Sequence, residues 1–409
     1  MRILSVTQSY APFYEFGGPP VKVEALANGL AQRGHELTVL TADWGFEARQ
    51  ASSEIAVTTK RSPFGWTRST KGVESVYLPT WFRYRAATWN PAINRFCRAR
   101  LQDFRVAHIF GLYDLLGPAV ARECRARKIP YVVEPIGMFV PIVRNLFLKR
   151  LYHDWWGKEM LDGAAAVVAT AEREAEELAA GGIPRSKITL RRNGVMMPRE
   201  LPPKGVFRME SGIPAEARLI LFLGRLSRKK SPQMLLEVFA QLPEKIADQE
   251  VWLAFAGPDE SGMQARLQEL ARALGVAHRV IFSGALFEEK KWAAYRDADV
   301  FVLPSQNENF GNTALEAAAC RTPVVITENC GAAPLLAGVA GLVVGHETAA
   351  MSQAVKRILS DAELCARFSE GGKQAASQLG WEQPVNAMEK LYAELAARHQ
   401  VVGQCAGQS

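Results

Sequence analysis

The chain lacks any uninterrupted apolar run of about 18 residues, the length that a helix needs to cross a bilayer. Its first residues, MRILSVTQ, predict a short strand and not the apolar stretch of a secretory signal, so we expect no such signal. The six cysteines form no C-x-x-C pair and have no histidine group beside them. This spacing excludes a disulfide framework and a cysteine zinc site, and it predicts reduced thiols in the cytoplasm.

Two ligand-binding signatures are also missing. No G-x-G-x-x-G follows the first predicted strand, which disfavours a nicotinamide site. No D-x-D-type acidic pair follows a strand in a suitable place, so we expect no bound metal and no resident cofactor. The sequence contains no tandem repeat and no low-complexity region, which excludes solenoid and fibrous classes.

The chain is long enough for two domains, because 409 residues exceed one ordinary core and fit two of about 200 residues each. Strand-like and helix-like patterns alternate in both halves, which is typical of parallel, doubly wound sheets. The predicted strands are Ile3–Gln8, Glu36–Thr41, Val106–Phe110, Tyr131–Glu134, Ala164–Ala169, Ile188–Leu190, Leu219–Leu223, Val251–Ala256, Val280–Phe282, Val300–Leu303 and Pro323–Ile326. Residues 44–72 are polar and predict a loop that includes at most an edge strand.

The predicted fold class is therefore α/β, with two Rossmann-like, doubly wound parallel-sheet domains. A proline-rich run at residues 197–204 is the candidate linker, so we place an N-terminal domain at 1–197 and a C-terminal domain at 198–380. Ligands of such sheets bind beyond the carboxyl ends of the strands. With two domains, those ends can face an interdomain cleft that excludes water.

Two glutamates, Glu308 and Glu316, mark the most informative segment. Residues 298–305 predict a buried strand, and residues 312–320 predict a helix with Asn312 as its N-cap. Amides at a helix start can bind a phosphate, and a carboxylate on either side can hold sugar hydroxyls. That arrangement suits a nucleotide-activated sugar. Without the strand and the turn, two acids at this spacing would more often be a solvated helix face.

A cationic loop, GRLSRKKS at residues 224–231, follows the first strand of the second domain. An arginine such as Arg225 can bridge two phosphate oxygens, and a lysine such as Lys230 supplies a compact charge to a leaving group. The loop precedes a helix start, which also favours anions. A basic surface loop without a ligand is the alternative.

The N-terminal domain offers weaker candidates. Gly17 and Gly18 follow the first strand and let the backbone approach a diphosphate or an acceptor closely, although such a pair is often only a turn. His108 lies near the end of a central predicted strand. It can meet a sugar or phosphate there, or it can be a satisfied core residue.

Positive charge concentrates in the first half, where residues 1–197 hold 27 Lys and Arg against 18 Asp and Glu. One concentration consists of Arg83, Arg85, Arg95, Arg98, Arg100 and Arg105. The other consists of Arg144, Lys149, Arg150 and Lys158, interleaved with Phe147, Leu148, Leu151, Tyr152, Trp155 and Trp156. This second pattern fits contact with an anionic membrane surface, and it fits equally a helix that shows its charges to water. We expect no nucleic acid partner.

Several of these segments together resemble the retaining glycosyltransferases of family 4. The resemblance is carried by PSQNENFGNTALEA at 304–317, TPVV at 322–325, GRLSRKKS at 224–231, RGHELTVL at 33–40 and RNGV at 192–195. It implies a GT-B fold with an acceptor-binding first domain and a nucleotide-sugar-binding second domain. It also implies a final helix, at about 381–400, that packs back on the first domain, and a reaction without metal.

The resemblance assigns site residues. Arg225 and Lys230 correspond to the pair that binds the donor diphosphate, Glu308 would hold sugar hydroxyls near the reacting carbon, and Glu316 would fix the ribose. The predicted catalytic residues are Glu308, Arg225, Lys230 and His108. The predicted donor-binding residues are Gly17, Gly18, Arg225, Lys230, Glu308, Asn309, Phe310, Gly311, Asn312 and Glu316.

Several positions depart from the family pattern. Phe110 stands where the family often has a second histidine, and Ala332 stands where it tends to have a glycine. Ser231 and Arg321 stand where the family has glycine. Ile136, in the loop EPIGM at 134–138, stands where a histidine commonly approaches the transferred sugar. This last departure admits an unusual acceptor arrangement, a replacement by Glu134 or His108, or a weakened enzyme.

The predicted function is transfer of a sugar, with retained configuration, from a nucleotide sugar to a saccharide or lipid-linked saccharide. We expect this reaction in cell-surface polysaccharide or lipopolysaccharide synthesis, in the cytoplasm or peripherally on its membrane. The alternatives are a non-catalytic nucleotide-sugar-binding partner of another transferase, a nucleotide-sugar epimerase and a disaccharide phosphorylase.

Overall fold

The computed structural model describes residues 1–14, 17–46, 58–84, 87–140, 150–260 and 262–406. The chain divides into two compact units. Unit 1 comprises Met1–Asn193 and Trp381–Ser409, and unit 2 comprises Gly194–Gly380. Unit 2 is therefore an insertion between two parts of unit 1. The chain passes from one unit to the other after Asn193, just before the predicted linker run.

Unit 1 is built on a sheet with the strand order β11-β10-β9-β8-β1-β2-β5-β4-β3. Its strands are β1 (Arg2–Thr7), β2 (Glu36–Ala42), β3 (Thr58–Ser62), β4 (Gly65–Thr70), β5 (Val73–Leu78), β8 (Val106–Phe110), β9 (Tyr131–Glu134), β10 (Ala166–Ala169) and β11 (Ile188–Leu190), and a separate hairpin pairs β6 (Phe82–Tyr84) with β7 (Ala87–Trp89). Pairing is parallel from β11 through β5 and antiparallel for β4 and β3. The order reverses beside β1, which makes β1 and β8 the switch point of this sheet.

Helices cover both faces of this sheet. They are α1 (Gly18–Gln32), α2 (Ala92–Arg100), α3 (Leu116–Ala126), α4 (Lys158–Asp162), α5 (Glu172–Ala180) and, from the end of the chain, α14 (Glu382–Ala406). The apolar side of α14 enters the same core as α1, through Val385, Met388 and Tyr392. Gly29 permits this close approach, because a Cβ atom there would lie 2.5 Å from a methyl group of Val385.

Unit 2 has the strand order β13-β14-β12-β16-β17-β18, with β15 also pairing with β14. Its strands are β12 (Arg218–Leu223), β13 (Lys245–Ile246), β14 (Gln249–Ala256), β15 (Val280–Gly284), β16 (Val300–Leu303), β17 (Val324–Thr327) and β18 (Gly341–Val344). Its helices are α6 (Val206–Ser211), α7 (Pro232–Ala240), α8 (Met263–Ala273), α9 (Glu288–Asp297), α10 (Asn312–Ala319), α11 (Ala333–Leu336), α12 (Thr348–Ser360) and α13 (Ala362–Gln378). The central strands are fully buried apolar runs, as parallel strands covered on both faces must be.

The eleven predicted strands are all present, with ends within two residues of those observed. The prediction of a loop with at most an edge strand for residues 44–72 is confirmed in part, because the described residues form two strands, β3 and β4, at the edge of the sheet. Residues 47–57 of that segment lie outside the described residues, as do Arg85, Arg144, Phe147, Leu148 and Lys149. Among the helices that the structure describes, none is long and apolar enough to span a membrane.

Candidate functional site

The candidate site of unit 2 lies at the switch point of its sheet. Strand β12 pairs on one side with β14 and on the other with β16, so the crossovers from β12 and β16 leave in opposite directions. Such a point opens a crevice at the carboxyl ends of the two strands, where doubly wound proteins bind ligands. The cationic loop with Arg225 and Lys230 follows β12, and the loop with Glu308 follows β16.

Glu308 and Lys230 contact each other across this crevice as an ion pair between Oε2 and Nζ. Both side chains are about four-fifths buried. The backbone of Glu308 is fixed as well, because its N–H donates to the carbonyl of Asn329 (2.9 Å) and its carbonyl accepts from the N–H of Gly331 (3.0 Å). The loop after β17 thus holds the carboxylate in place beside the lysine.

Burial and the nearby cations Lys229 and Arg225 lower the pKa of Lys230 to about 7. Arg225 itself is exposed. The loop therefore concentrates positive charge at a crevice with one anionic partner, and a second anion would stabilise it further.

Helix α10 begins directly after Glu308 and its neighbours. Its N-cap is Gly311, at φ 93° and ψ 47°, so the prediction of Asn312 as N-cap is wrong, and Asn312 is the first helical residue. Only glycine fits at 311, since this φ is left-handed and a Cβ atom would lie 2.4 Å from Sγ of Cys330. Phe310 is 3% exposed and packs inward, so donor binding by its side chain is not supported.

Glu316 lies in α10, one turn after its start, and is held from α9. Its Oε1 accepts from Nζ of Lys291 (2.9 Å), and its Oε2 accepts from the hydroxyl of Tyr295 (3.0 Å). Burial and the carboxylate of Glu316 raise the pKa of Tyr295, so the phenol stays protonated and remains a donor. Sequence reasoning missed Lys291 and Tyr295, because no local motif links α9 to α10.

The two glutamates therefore flank the start of one helix, each held by a lysine from another segment. Amides of a first helical turn have no carbonyl partner within their own helix and favour an anion. Asn309 and Asn312 lie on the same turn. Among the described residues, no group of His, Cys, Asp and Glu side chains could hold a metal ion.

Comparison with known families agrees with this geometry. The family described as "Glycosyl transferases group 1" matches residues 204–375, and the "Glycosyl transferase 4-like domain" matches residues 17–194. Together they cover most of both units. The chain belongs to the group 1 glycosyl transferases.

Curated relatives of this family match in part. The chain is 34% identical over 250 residues to a D-inositol 3-phosphate glycosyltransferase of Streptomyces bingchenggensis, covering 58% of the chain and 55% of the relative. It is 38% identical over 208 residues to the protein of the same name from Corynebacterium jeikeium, covering 49% of each. The matches thus span about half the length of these relatives.

Solved structures show the same fold across the whole chain. Sucrose-phosphate synthase from Thermosynechococcus elongatus superposes with a TM-score of 0.74 at 20% identity, covering 97% of this chain and 99% of the other. Anabaena HepE, in complex with UDP and glucose, gives 0.75 at 18% identity, covering 97% and 100%. The fold is therefore the GT-B fold, as predicted.

Two departures from the family pattern occur where the backbone is left-handed. Ser231 has φ 50° and Arg321 has φ 65°, and glycine adopts both conformations without steric cost. Ser231 is fixed by a contact between its Oγ and Nε2 of His346 (3.0 Å). These values explain why glycine suits both positions in the family.

In unit 1, Gly17 is the N-cap of α1 at φ 87°, and Gly18 is its first residue. Pro19 and Pro20 follow, and a proline has no N–H to donate. The start of α1 therefore presents fewer amides to a phosphate than the start of α10 does. Donor binding by Gly17 and Gly18 stays a prediction.

His108 is a core residue in the structure, with no exposed surface. Its Nδ1 contacts the hydroxyl of Tyr392 (2.5 Å), and its ring stacks on Phe110. Burial lowers the pKa of His108 to about 3, so the ring is neutral. This environment removes its side chain from the surface and does not support the predicted catalytic contact.

Glu134 is also fully buried. It accepts from Nζ of Lys22 (2.8 Å) and from Nη2 of Arg191 (2.6 Å). Although burial opposes it, Arg191 and Lys22 lower the pKa of Glu134 to about 2. Removing one partner of such a buried pair typically costs about 3–5 kcal/mol. Glu134 is therefore engaged in a buried ion-pair network, and its carboxylate is not exposed to an acceptor.

Ile136 lies beside this network with φ 55°, a conformation that is strained for a β-branched residue. The adjoining Gly137 N–H donates to Oε1 of Glu174 (2.5 Å), whose other oxygen accepts from the N–H and hydroxyl of Thr170. The turn is thus held by Glu174, with an apolar side chain at position 136.

Proposed function

We propose that the chain is a retaining glycosyltransferase that uses a nucleotide-sugar donor. The observation that carries this proposal is the pair Glu308 and Glu316, each held by a lysine, on either side of the start of α10. This position is the switch-point crevice of unit 2, where a diphosphate can meet both cations and helix amides. HepE, which shares the fold, has been solved in complexes with UDP and with UDP-glucose.

Each side chain has a chemical task in this proposal. Arg225 and Lys230 offset the charge that grows on the departing diphosphate, as do the amides of α10. Glu308 holds sugar hydroxyls near the reacting carbon, and Glu316 holds ribose hydroxyls. The ion pair of Lys230 with Glu308 opens when the diphosphate binds, which frees the carboxylate to accept hydroxyl groups.

The proposed acceptor is a saccharide or a lipid-linked saccharide, in polysaccharide or lipopolysaccharide synthesis. The excess of Lys and Arg in residues 1–197 supports an anionic or membrane-attached acceptor. Trp155 and Trp156, in the second basic segment of the sequence, are exposed, whereas Tyr152 is buried. The described part of this segment, residues 150–158, thus has an inward-packed aromatic side chain and two that are open to solvent.

The test combines donor binding with product analysis. We expect one uridine, guanosine or adenosine diphosphate sugar to raise the unfolding temperature of the purified protein. Slow hydrolysis of that donor, abolished by Arg225→Ala, identifies a transferase site. A C2- or C4-inverted donor would identify an epimerase, and a sugar phosphate formed from disaccharide with inorganic phosphate would identify a phosphorylase. Binding without hydrolysis or transfer would identify a non-catalytic partner, and no binding of any donor contradicts the whole proposal.

The pH dependence of donor binding follows from Lys230. Its pKa of about 7 in the free protein rises when phosphate oxygens stabilise the ammonium group, so binding takes up a proton. The affinity for the donor then has its full value below about pH 7. Above that pH it falls about tenfold per pH unit, until the pH reaches the pKa of Lys230 in the donor complex. Titration calorimetry in two buffers of different ionisation enthalpy measures this uptake. Lys230→Arg, which stays charged, should bind the donor without proton uptake. An uptake equal to that of the wild type would contradict the assignment of the proton to Lys230.

A further inference from the structure

Four large aromatic side chains of unit 1 stand out into solvent on one short hairpin. The exposed fractions are 74% for Trp81, 62% for Phe82, 52% for Tyr84 and 52% for Trp89. We name the segment 81–89, of which the structure describes 81–84 and 87–89, the aromatic hairpin. Single exposed apolar residues are ordinary, but a contiguous exposed patch marks an interaction surface.

The aromatic hairpin is anchored at its base to the sheet of unit 1. The amide of Asn90 donates to the carbonyls of Leu78 (3.0 Å) and Pro79 (3.1 Å), and the hydroxyl of Thr80 donates to the carbonyl of Asp43 (2.7 Å). These bonds tie its base to the carboxyl ends of β2 and β5. The base of the aromatic hairpin, from which Trp81 and Trp89 project, is therefore anchored to the fold.

The rings also support one another within the aromatic hairpin. Phe82 and Trp89 are opposite residues in the β6–β7 register. The rings of Trp81 and Trp89 meet edge to face, with centroids 6.1 Å apart. A cluster of this kind presents one apolar surface in place of separate side chains.

The charges around this surface have one sign. Residues 79–105 contain six arginines and a single acidic residue, Asp103. Residues 79–89 contain no Asp, Glu, Asn or Gln, the side chains that commonly bind sugar hydroxyls. Arg83 lies on the hairpin itself, and Arg95 and Arg98 are exposed on α2, which follows directly. The surface is thus complementary to a partner that is both apolar and anionic.

We propose that the aromatic hairpin docks on the surface of an anionic lipid bilayer. Trp and Tyr rings favour the boundary between headgroups and acyl chains, and arginines beside them bind lipid phosphates. The inference rests on the proposed function in one respect, the purpose of the docking, which is to bring unit 1 to a lipid-linked acceptor. The docking itself depends on the hairpin alone.

The experiment measures partition of the full chain onto vesicles by co-flotation. Vesicles of phosphatidylcholine with about 30% phosphatidylglycerol should bind the protein at low salt, and pure phosphatidylcholine vesicles should bind it far less. Trp81→Ala with Phe82→Ala should lower the partition coefficient at least about tenfold. Arg83→Gln should lower it about fivefold at low salt and have little effect at high salt.

Matched controls distinguish docking by this surface from nonspecific adsorption through other exposed apolar side chains. Phe287→Ala with Met209→Ala removes two exposed apolar side chains of unit 2, at 50% and 77% exposure, and should leave partition unchanged. Trp155→Ala with Trp156→Ala tests the other exposed aromatic pair and should have a smaller effect than the hairpin variant. Unfolding temperatures of all variants, measured in parallel, confirm that each is folded.

The outcomes distinguish docking from catalysis. The proposal is overturned if Trp81→Ala with Phe82→Ala partitions onto vesicles as strongly as the wild type. It is also overturned if the wild type does not partition onto them at all. Normal partition with a lost affinity for a saccharide acceptor also overturns it and makes the hairpin a carbohydrate platform. Donor binding, measured by thermal shift, should be the same in the hairpin variants and the wild type. A protein that binds anionic vesicles through the hairpin but binds no nucleotide sugar would refute the proposed function and leave the docking intact.

Discussion

Replacing Lys230 by alanine is expected to weaken nucleotide-sugar binding about 100-fold near pH 6.5. A hydrogen bond to a charged group contributes about 1.5–3 kcal/mol, and the lysine is four-fifths buried, where water does not replace a lost contact. The substitution also leaves the carboxylate of Glu308 without its cation, so that it repels the incoming phosphates. Titration calorimetry with the donor found by thermal shift measures the change.

Arg228→Ala is the matched control for this variant. It removes the same charge from the same turn, but its side chain is exposed and precedes Lys230 by two residues. A loss of less than about threefold is expected, because an exposed charge acts through screened, long-range attraction only. Equal losses of donor affinity in the two variants would mean that binding depends on the net charge of the loop and not on a defined contact with phosphate.

Replacing Glu308 by glutamine is expected to lower the turnover number by about 10²–10³-fold while donor affinity is kept or increased. The amide has the shape of the carboxylate but not its charge, so it cannot stabilise positive charge at the reacting carbon. Donor affinity is retained because the variant releases Lys230 from its ion pair. Initial rates over a range of donor concentrations separate the two effects.

Glu328→Gln provides the comparison, since Glu328 is an exposed acid just after β17, at the same edge of the sheet. Its turnover should equal that of the wild type. If Glu308→Gln turns over as fast as Glu328→Gln, the carboxylate has no part in the chemistry. A loss confined to donor affinity would place it in ground-state binding instead.

The parallel strands were predictable because each is a nearly continuous apolar run between turn residues. Strands such as β12 and β16 are buried on both faces, so their sequences are runs of consecutive apolar residues, which can be recognised without the structure. The site followed from this framework, since Lys230 and Glu308 come after neighbouring strands and the sheet order brings them together. The contact between them is a consequence of this sheet order and was not itself predicted.

Other features depend on partners far away in the chain and were not predictable locally. The edge strands β3 and β4 are polar; β4 pairs with β5, and β3 pairs in turn with β4. Lys291 and Tyr295 reach Glu316 through the packing of two helices. His108 is a core residue because Tyr392, 284 positions later, supplies its hydrogen-bond partner. The helix cap at Gly311 was mistaken because asparagine and glycine are both common caps, and only the contact with Cys330 decides between them.

The insertion of unit 2 into unit 1 has a consequence for the order of biosynthesis. Val385, Met388 and Tyr392 belong to the same core as α1, yet they leave the ribosome almost 200 residues after β11. The first unit to begin translation is thus the last to be completed. A nascent chain that ends before α14 leaves the core beneath α1 incomplete, while the intervening unit already has all of its own strands.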